Sequence, residues 1–133
     1  MRLYIGGSYQ GKKEYVLSAW AREHPGSIAL VSEGESYPLV QPERADILVH
    51  FHLLVRRFLG DGQDISDIQI YVREILAQNP NIWIICDEVG MGIVPIDAFE
   101  RQYREAVGRC SCELAKEAEQ VVRIICGIGV RIK

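Results

Sequence analysis

The feature that most constrains the fold is a glycine-rich segment close to the start of the sequence. A short apolar strand, Arg2–Ile5, leads into it, and a helical pattern begins at Lys12. The segment has the order G-x-x-x-x-G-K of a phosphate-binding loop, in which backbone N–H groups surround a phosphate and the lysine reaches the β- and γ-phosphates. We therefore expect a nucleotide phosphate to be bound by Gly6, Gly7, Ser8, Tyr9, Gln10, Gly11, Lys12 and Lys13.

The phosphate-loop pattern lacks its last member. Lys13 stands where the pattern has Ser or Thr, whose hydroxyl normally binds Mg²⁺. Lysine cannot bind the metal, and its positive charge opposes a cation there. The pattern thus predicts a bound phosphate, with Lys12 as a catalytic candidate and with Mg²⁺ disfavoured. The alternative is that the Gly-Gly and Gly-Lys pairs only form a turn between strand and helix.

Apolar runs and helical patterns alternate along the rest of the chain. Further strands are predicted at Ser27–Val31, Asp46–His50, Ile82–Cys86 and Val121–Cys126, with a short edge strand at 130–132. Helices are predicted from Lys12 to the His24-Pro25 stop and after His50 to about Leu59. A third helix is predicted to start near Asp64 or Ser66 and to end at Asn79, and a fourth to run from Asp97 through Leu114. Such alternation predicts an α/β fold with a mostly parallel sheet and helices on both faces, a phosphate-loop (RecA-like) architecture in a single domain over 1–133.

Two of the predicted helices have N-terminal capping signals. Asp64 or Ser66 is expected to cap the third helix, and Ser66 has Gln69 three residues later, as a capping box requires. Asp97 precedes Glu100 by the same spacing at the start of the last helix. Between the second and third strands, residues 32–44 are predicted to form a loop.

Two acidic residues follow the most apolar strand. Ile84-Ile85-Cys86 is followed by Asp87 and Glu88. In phosphate-loop enzymes an acid at such a position helps to hold Mg²⁺, and a following glutamate can activate a nucleophile. Asp87 is thus a metal candidate and Glu88 a catalytic candidate, expected to meet the loop and His50 beyond the carboxyl ends of the strands. The alternative is that both acids are simply solvated.

Composition limits the possible ligands and locations. The 133 residues are 48% apolar and 25% charged with a net charge of −3, as in an ordinary globular domain. We expect no nucleic-acid partner, no membrane span and no signal peptide, and hence a cytoplasmic protein. Cys86 and Cys126 lie in apolar runs and are expected to be buried. Cys110 and Cys112 are predicted on opposite sides of a helix, which argues against a shared zinc ion.

The segment Asp87–Pro95, with the core Glu-Val-Gly-Met-Gly-Ile-Val-Pro, resembles the signature of the adenosylcobinamide kinase/adenosylcobinamide-phosphate guanylyltransferase family of cobalamin biosynthesis. Similar segments follow in the family's order at residues 101–105, 108–109, 114–115, 118–121 and 127–133, and residues 6–12 match its phosphate loop. The resemblance covers roughly residues 1–20 and 80–133. It implies a nucleotide-binding α/β fold, phosphorylation of adenosylcobinamide by ATP or GTP, and GMP transfer from GTP through a guanylylated histidine. It also implies a homo-oligomer.

This sequence departs from the family pattern at several site positions. Lys13 replaces a serine, Tyr15 stands where the guanylylated histidine is expected, and His50 replaces an acidic residue at a strand end. The chain is also shorter than typical members between the second and third strands. We therefore favour a degenerate relative that binds a nucleotide, a corrinoid or a protein partner, with reduced or lost catalysis.

Three alternatives stay open. The chain could be an active transferase of the family type, or a small-molecule kinase that uses Asp87 and Glu88 as its metal acids. His50 and His52 would share one side if they lay in a strand, and could then be a replacement nucleophile or a metal pair. The other interpretation of both histidines is that they are solvated or packed.

Overall fold

The computed structural model describes residues 1–36 and 41–133. Within these residues the strands are β1 (Arg2–Gly6), β2 (Val31–Glu33), β3 (Ile47–Val49), β4 (Trp83–Asp87), β5 (Gln120–Ile125) and β6 (Ile128–Arg131). The helices are α1 (Lys12–Glu23), α2 (Phe51–Gly60), α3 (Ile65–Gln78) and α4 (Ala98–Glu117). Short 3₁₀ turns lie at Pro42–Arg44 and Val89–Met91.

The strands form one sheet in the order β2-β3-β4-β1-β5-β6. All neighbouring pairs are parallel except β5 and β6, which are antiparallel. β1 lies between β4 and β5, so that Leu3 is opposite both Ile84 and Val121. The predicted α/β class with a mostly parallel sheet is confirmed, and β6 is the predicted edge strand. Among the described residues no helix is long and apolar enough to cross a membrane.

Helices cover both faces of the sheet, because alternate strand residues point to opposite sides. Leu3 packs in the core beneath α2, α3 and α4, whereas Tyr4 packs with Val16 of α1 on the other face. The predicted apolar stripe of the last helix is also present. Its members Tyr103, Ala106, Cys110 and Leu114 are buried, and Phe99 is partly buried.

The prediction of a second strand at Ser27–Val31 is wrong. β2 begins only at Val31, which pairs with Ile47, and residues 27–30 have no regular structure. The cause is β3, which begins at Ile47. The preceding Asp46 accepts the N–H of Leu30 through its side chain and donates its own N–H to the Leu30 carbonyl, so Leu30 is bonded to the residue before β3.

The residues on either side of β3 also differ from the prediction. Ser32 and Glu33, predicted in a loop, belong to β2, while 37–40 of that loop lie outside the described residues. β3 ends at Val49, one residue before the predicted end. His50 then has a positive φ of 56° and precedes the first turn of α2.

One of the four cysteines lies where it was not expected. Cys126 is exposed, because β5 ends at Ile125 and the chain turns back at Cys126 (φ 51°) and Gly127 to form β6. Cys86 is buried, and its burial raises the pKa of the thiol to about 12. Cys110 is buried and Cys112 exposed, in agreement with their predicted placement on opposite sides of the helix.

Asp64, rather than Ser66, caps α3. The Asp64 carboxylate accepts the N–H of Asp67 at 2.9 Å, and the Asp67 carboxylate accepts the N–H of Asp64 at 3.1 Å. This reciprocal pair is a capping box built from two aspartates, so the proposed pairing of Ser66 with Gln69 is wrong. At α4 the predicted cap is present, because Asp97 accepts the N–H of Glu100 at 2.9 Å.

The capping box predicts unequal effects of two neighbouring substitutions. Asp64→Ala should lower the free energy of unfolding by about 1 kcal/mol, since it leaves helix N–H groups unpaired. Ser66→Ala, at an exposed position inside the helix, should change it by less than about 0.5 kcal/mol. Urea unfolding of the two variants measures the difference, and an equal loss in both would contradict the assignment.

Candidate phosphate-binding site

The loop between β1 and α1 has a fixed backbone shape. Tyr9 and Gly11 both have positive φ, at 58° and 75°, and the chain becomes helical at Lys12. Gly6 is required at the loop start, because a Cβ there would lie 2.4 Å from the Ile124 carbonyl oxygen of β5. The predicted strand, loop and helix thus follow one another in the order that a phosphate loop needs.

The turn between β5 and β6 braces this loop. Gln10 accepts the N–H of Cys126 through its side chain at 2.7 Å, and its carbonyl accepts the N–H of Gly127 at 2.9 Å. The second half of the loop is therefore hydrogen-bonded to the turn that precedes β6. This support was not visible in the sequence, because it joins residues more than a hundred positions apart.

Lys12 is the first residue of α1, and its side chain packs against the loop and is only 7% exposed. Its ammonium donates to the Gly7 carbonyl at 2.6 Å and forms an ion pair with Asp87 Oδ1 at 2.8 Å. The other oxygen of Asp87 accepts the Ser8 hydroxyl at 2.6 Å. Since Gly6 is opposite Asp87 in the β1–β4 register, the structure brings together the loop and the first predicted acid.

The charge state of Asp87 follows from these contacts. Burial alone would raise its pKa, but the hydrogen bonds from Lys12 and Ser8 outweigh burial and hold the pKa below the usual value. The N–H of Asp87 donates to His52 Nδ1 at 3.3 Å. Burial lowers the pKa of His52, which agrees with a neutral ring that accepts this hydrogen bond.

Glu88, the second predicted acid, lies apart from the lysine. Its carboxylate oxygen Oε2 accepts from Arg123 Nε at 3.1 Å and pairs with Arg123 Nη2 at 3.1 Å. Its N–H donates to the Gly6 carbonyl at 3.0 Å. Glu88 therefore joins β4 to β5 and holds the start of the loop, and its catalytic role stays a prediction.

A cavity of about 460 Å³ opens above the loop, which is within the usual range of ligand sites. The phosphate loop forms one wall, and the start of α2 with Glu35 forms the other. The lining residues are Ser8, Tyr9, Gln10, Gly11, Lys12, Lys13, Glu14, Glu35, Val49, His50, His52, Leu53, Ile85 and Asp87. Sequence reasoning placed the loop, His50 and Asp87 at this edge but missed Glu35.

The resemblance places Lys13 and Tyr15 at the positions of the family's serine and guanylylated histidine, and the structure gives both side chains contacts of their own. Lys13 donates to Glu33 Oε1 at 2.6 Å. Tyr15 faces β6, since a Cβ on Gly129 would lie 2.3 Å from the Tyr15 hydroxyl oxygen, and Tyr15 does not line the cavity. The tyrosine hydroxyl therefore does not occupy the position of a nucleophile in this cavity.

His50 and His52 do not lie in a strand, so the condition under which they would share one strand face is not met. His50 precedes α2 and His52 belongs to its first turn, with ring centroids 5.8 Å apart and ring planes nearly perpendicular. Within the described residues, the group with metal-ligand spacing combines His50 with Glu33 and Glu35.

The signature segment after β4 is held in place by two arginines of α4. Arg104 donates to the carbonyls of Gly90 at 2.6 Å and Ile93 at 2.8 Å, and Arg101 donates to the Pro95 carbonyl at 3.1 Å. These bonds fix a loop whose apolar side chains stay exposed, namely Met91, Ile93, Val94 and Ile96. The arginines that resemble the family's Arg-x-Phe-Arg segment therefore position the signature loop.

Fold and site together define an α/β domain of the phosphate-loop class. A sequence model of the family described as cobinamide kinase / cobinamide phosphate guanyltransferase matches residues 43–132. The chain belongs to this family. The matched range includes Asp87, Glu88 and the signature segment and begins after the phosphate loop, so nucleotide binding at residues 6–13 stays a prediction.

Two curated relatives agree with the family assignment. The bifunctional adenosylcobalamin biosynthesis protein CobU of Salmonella typhimurium is 37% identical over 68 residues, and that of Escherichia coli is 44% identical over 68 residues. In both cases the aligned stretch is 51% of this chain and 38% of the relative. The matched part of the chain thus spans well under half the length of either relative.

The lowered pKa of Asp87 predicts a pH dependence of stability. A carboxylate whose folded-state pKa lies below its unfolded value stabilises the fold above the ordinary aspartate pKa of about 3.9, and this contribution is lost as the pH falls through the folded-state pKa. The free energy of unfolding should therefore fall more steeply between about pH 5 and pH 2 in the wild type than in Asp87→Asn.

Asp61→Asn, at an exposed position after α2, is the control and should keep the wild-type slope. Equal slopes for the wild type and Asp87→Asn would contradict the pairing.

Proposed function

We propose that this chain is a cobalamin-biosynthesis-related protein that holds the phosphates of GTP or ATP at residues 6–13, with reduced or lost catalysis. The observation that carries the proposal is the buried Lys12 ammonium, held against the loop by the Gly7 carbonyl and by Asp87. A corrinoid is the second small-molecule ligand that the family suggests. Cytoplasmic location and homo-oligomerisation stay predictions, and no nucleic-acid partner is proposed.

Local features favour a phosphate ligand although the chain as a whole is acidic. The net charge of −3 gives no long-range attraction for an anion, so binding depends on the loop. Lys12 is the first residue of α1, and the partial positive charge of a helix N-terminus favours phosphate. The cavity beside this helix start has room for a nucleotide's phosphates.

The residues present do not fit Mg²⁺ in the manner of a phosphate-loop kinase. The position of the metal-binding hydroxyl is occupied by Lys13, which pairs with Glu33. The acid that would help to hold the metal is Asp87, and its two oxygens are engaged by Lys12 and Ser8. This arrangement supports phosphate binding without efficient phosphoryl transfer.

Guanylylation is disfavoured by the same geometry. Tyr15 faces β6, and a phenol cannot form the phosphoramidate that a histidine forms. His52 lines the cavity, but its Nδ1 accepts the N–H of Asp87, so a neutral ring carries its proton on Nε2. The Nδ1 lone pair that would attack a nucleotide phosphate therefore already accepts the hydrogen bond from Asp87.

An active transferase is the second candidate, because two histidines line the cavity with Lys12. In that case the chain would phosphorylate adenosylcobinamide and transfer GMP from GTP, with His50 as the remaining nucleophile candidate. The names of the two relatives support the pathway for either candidate. Incubation with α-labelled GTP should then label the protein covalently, and His50→Asn should abolish this labelling. That result would favour the transferase.

Removal of the loop lysine should weaken nucleotide binding. Lys12→Met loses charge-assisted hydrogen bonds to phosphate and should weaken GTP and ATP binding roughly 10- to 100-fold in calorimetry. Lys116→Met, at an exposed position of α4, is the matched control and should bind as the wild type does.

Since Lys12→Met leaves Asp87 without its cation, a second variant separates folding from binding. Lys12→Met combined with Asp87→Asn removes both charges of the pair, and should fold without regaining nucleotide affinity. Wild-type affinity in either Lys12 variant would refute phosphate binding by the loop.

Restoring the hydroxyl should restore metal dependence. In the wild type we expect the same GTP affinity with and without Mg²⁺, whereas Lys13→Ser should bind GTP more tightly when Mg²⁺ is present. Lys13→Ala removes the same charge without adding a hydroxyl, and should show no Mg²⁺ effect. A wild-type protein whose GTP binding already requires Mg²⁺ would contradict the proposal and favour the transferase.

A further inference from the structure

A second group of side chains lies at the rim of the cavity, outside the phosphate loop. The side chains of Glu33, Glu35 and His50 each present one metal-ligand atom, and the three atoms lie within 4.8 Å of one another. His50 Nδ1 is 3.1 Å from Glu33 Oε2 and 3.5 Å from Glu35 Oε1. Neither glutamate was a site residue in the sequence analysis, and the family resemblance assigns them no role.

Backbone contacts bring the three side chains together. β2 and β3 pair in parallel, which places Glu33 opposite Val49 at the ends of both strands. Gly34 then donates its N–H to the Val49 carbonyl at 2.8 Å, and a Cβ on Gly34 would lie 2.4 Å from the His50 carbonyl oxygen. The turn after β2 therefore lies directly against the backbone of His50.

Two of the ligand atoms are buried without a hydrogen bond. His50 Nδ1 and Glu33 Oε2 are both shielded from solvent, and among the residues that the structure describes neither has a hydrogen-bond partner although they are 3.1 Å apart. They approach each other in a geometry that does not form a hydrogen bond. Unpaired buried polar atoms are costly, and a cation bound by both would satisfy them.

Lys13 does not bind the Glu33 oxygen that faces His50. Its ammonium pairs with the other oxygen of Glu33, Oε1, at 2.6 Å. The lysine charge lowers the affinity for a cation, and the two carboxylates offset it. The donor set therefore contains one imidazole nitrogen and one oxygen from each of two carboxylates.

We propose that Glu33, Glu35 and His50 bind one Zn²⁺ ion at the rim of the cavity. An imidazole ligand favours Zn²⁺ over Mg²⁺, which prefers oxygen ligands alone. Three protein ligands leave one position of a tetrahedral zinc ion open to the cavity. Zinc binding by these three residues does not require a nucleotide, so its test is independent of the function proposed above.

Titration of the nucleotide-free protein with ZnCl₂ in a calorimeter tests the site. The wild type should bind one equivalent of Zn²⁺, with no comparable binding of Mg²⁺. Glu35→Gln and His50→Asn should each weaken binding at least about tenfold, since even the loss of a supporting contact to a metal ligand has an effect of this size. Glu35 is 57% exposed, so its substitution does not threaten the fold.

Two controls exclude other zinc ligands. His24→Asn removes a histidine at the end of α1 and should bind Zn²⁺ as the wild type does. The combined Cys112→Ser and Cys126→Ser variant removes both exposed thiols and should also retain the site. No stoichiometric Zn²⁺ binding, unchanged binding in Glu35→Gln and His50→Asn, or loss of binding in the cysteine variant would each overturn the proposal.

Discussion

The ion pair between Lys12 and Asp87 is the interaction on which the site depends. It joins the first residue of α1 to the last residue of β4, across the parallel pair of β1 and β4. Both groups are largely withdrawn from water, and such a pair is stable only when further hydrogen bonds satisfy its remaining polar atoms. Gly7 and Ser8 of the loop supply them, so the loop conformation and the charge pair stabilise each other.

This pair also limits what the site can do. A phosphate group that approached Lys12 would compete with the Asp87 carboxylate for the same ammonium, and the carboxylate is at the same time the acid that metal-assisted transfer would need. The second loop cation, Lys13, is offset in a similar way by Glu33. Much of the positive charge near the loop is thus balanced by protein carboxylates, and this balance supports the proposal of a loop that holds a phosphate with reduced or lost catalysis.

Local patterns predicted the parts of the fold that depend on local periodicity. The helix stripe of Tyr103 through Leu114, the cap at Asp97 and the central apolar strand at 82–86 follow from side-chain spacing alone. The strand predicted at 27–31 failed because pairing with Ile47, a distant residue, decides where β2 begins. Cys126 was expected in the core for the same reason, since only the return of β6 reveals the turn that exposes it. The loop, Lys12 and Asp87 could be placed at one sheet edge, whereas Glu33 and Glu35 could not.

The departures from the family pattern are coupled in space. Lys13 contacts Glu33, and Glu33 and Glu35 both approach His50, so the two positions at which the resemblance predicts a serine and a strand-end acid belong to one connected group of charges. Tyr15 differs, because its ring packs between α1 and β6 and replaces a reactive group with a structural one. On one side of the site, the partly buried Tyr15 packs against the core, while on the other side Lys13, Glu33, Glu35 and His50 form a connected group of charges.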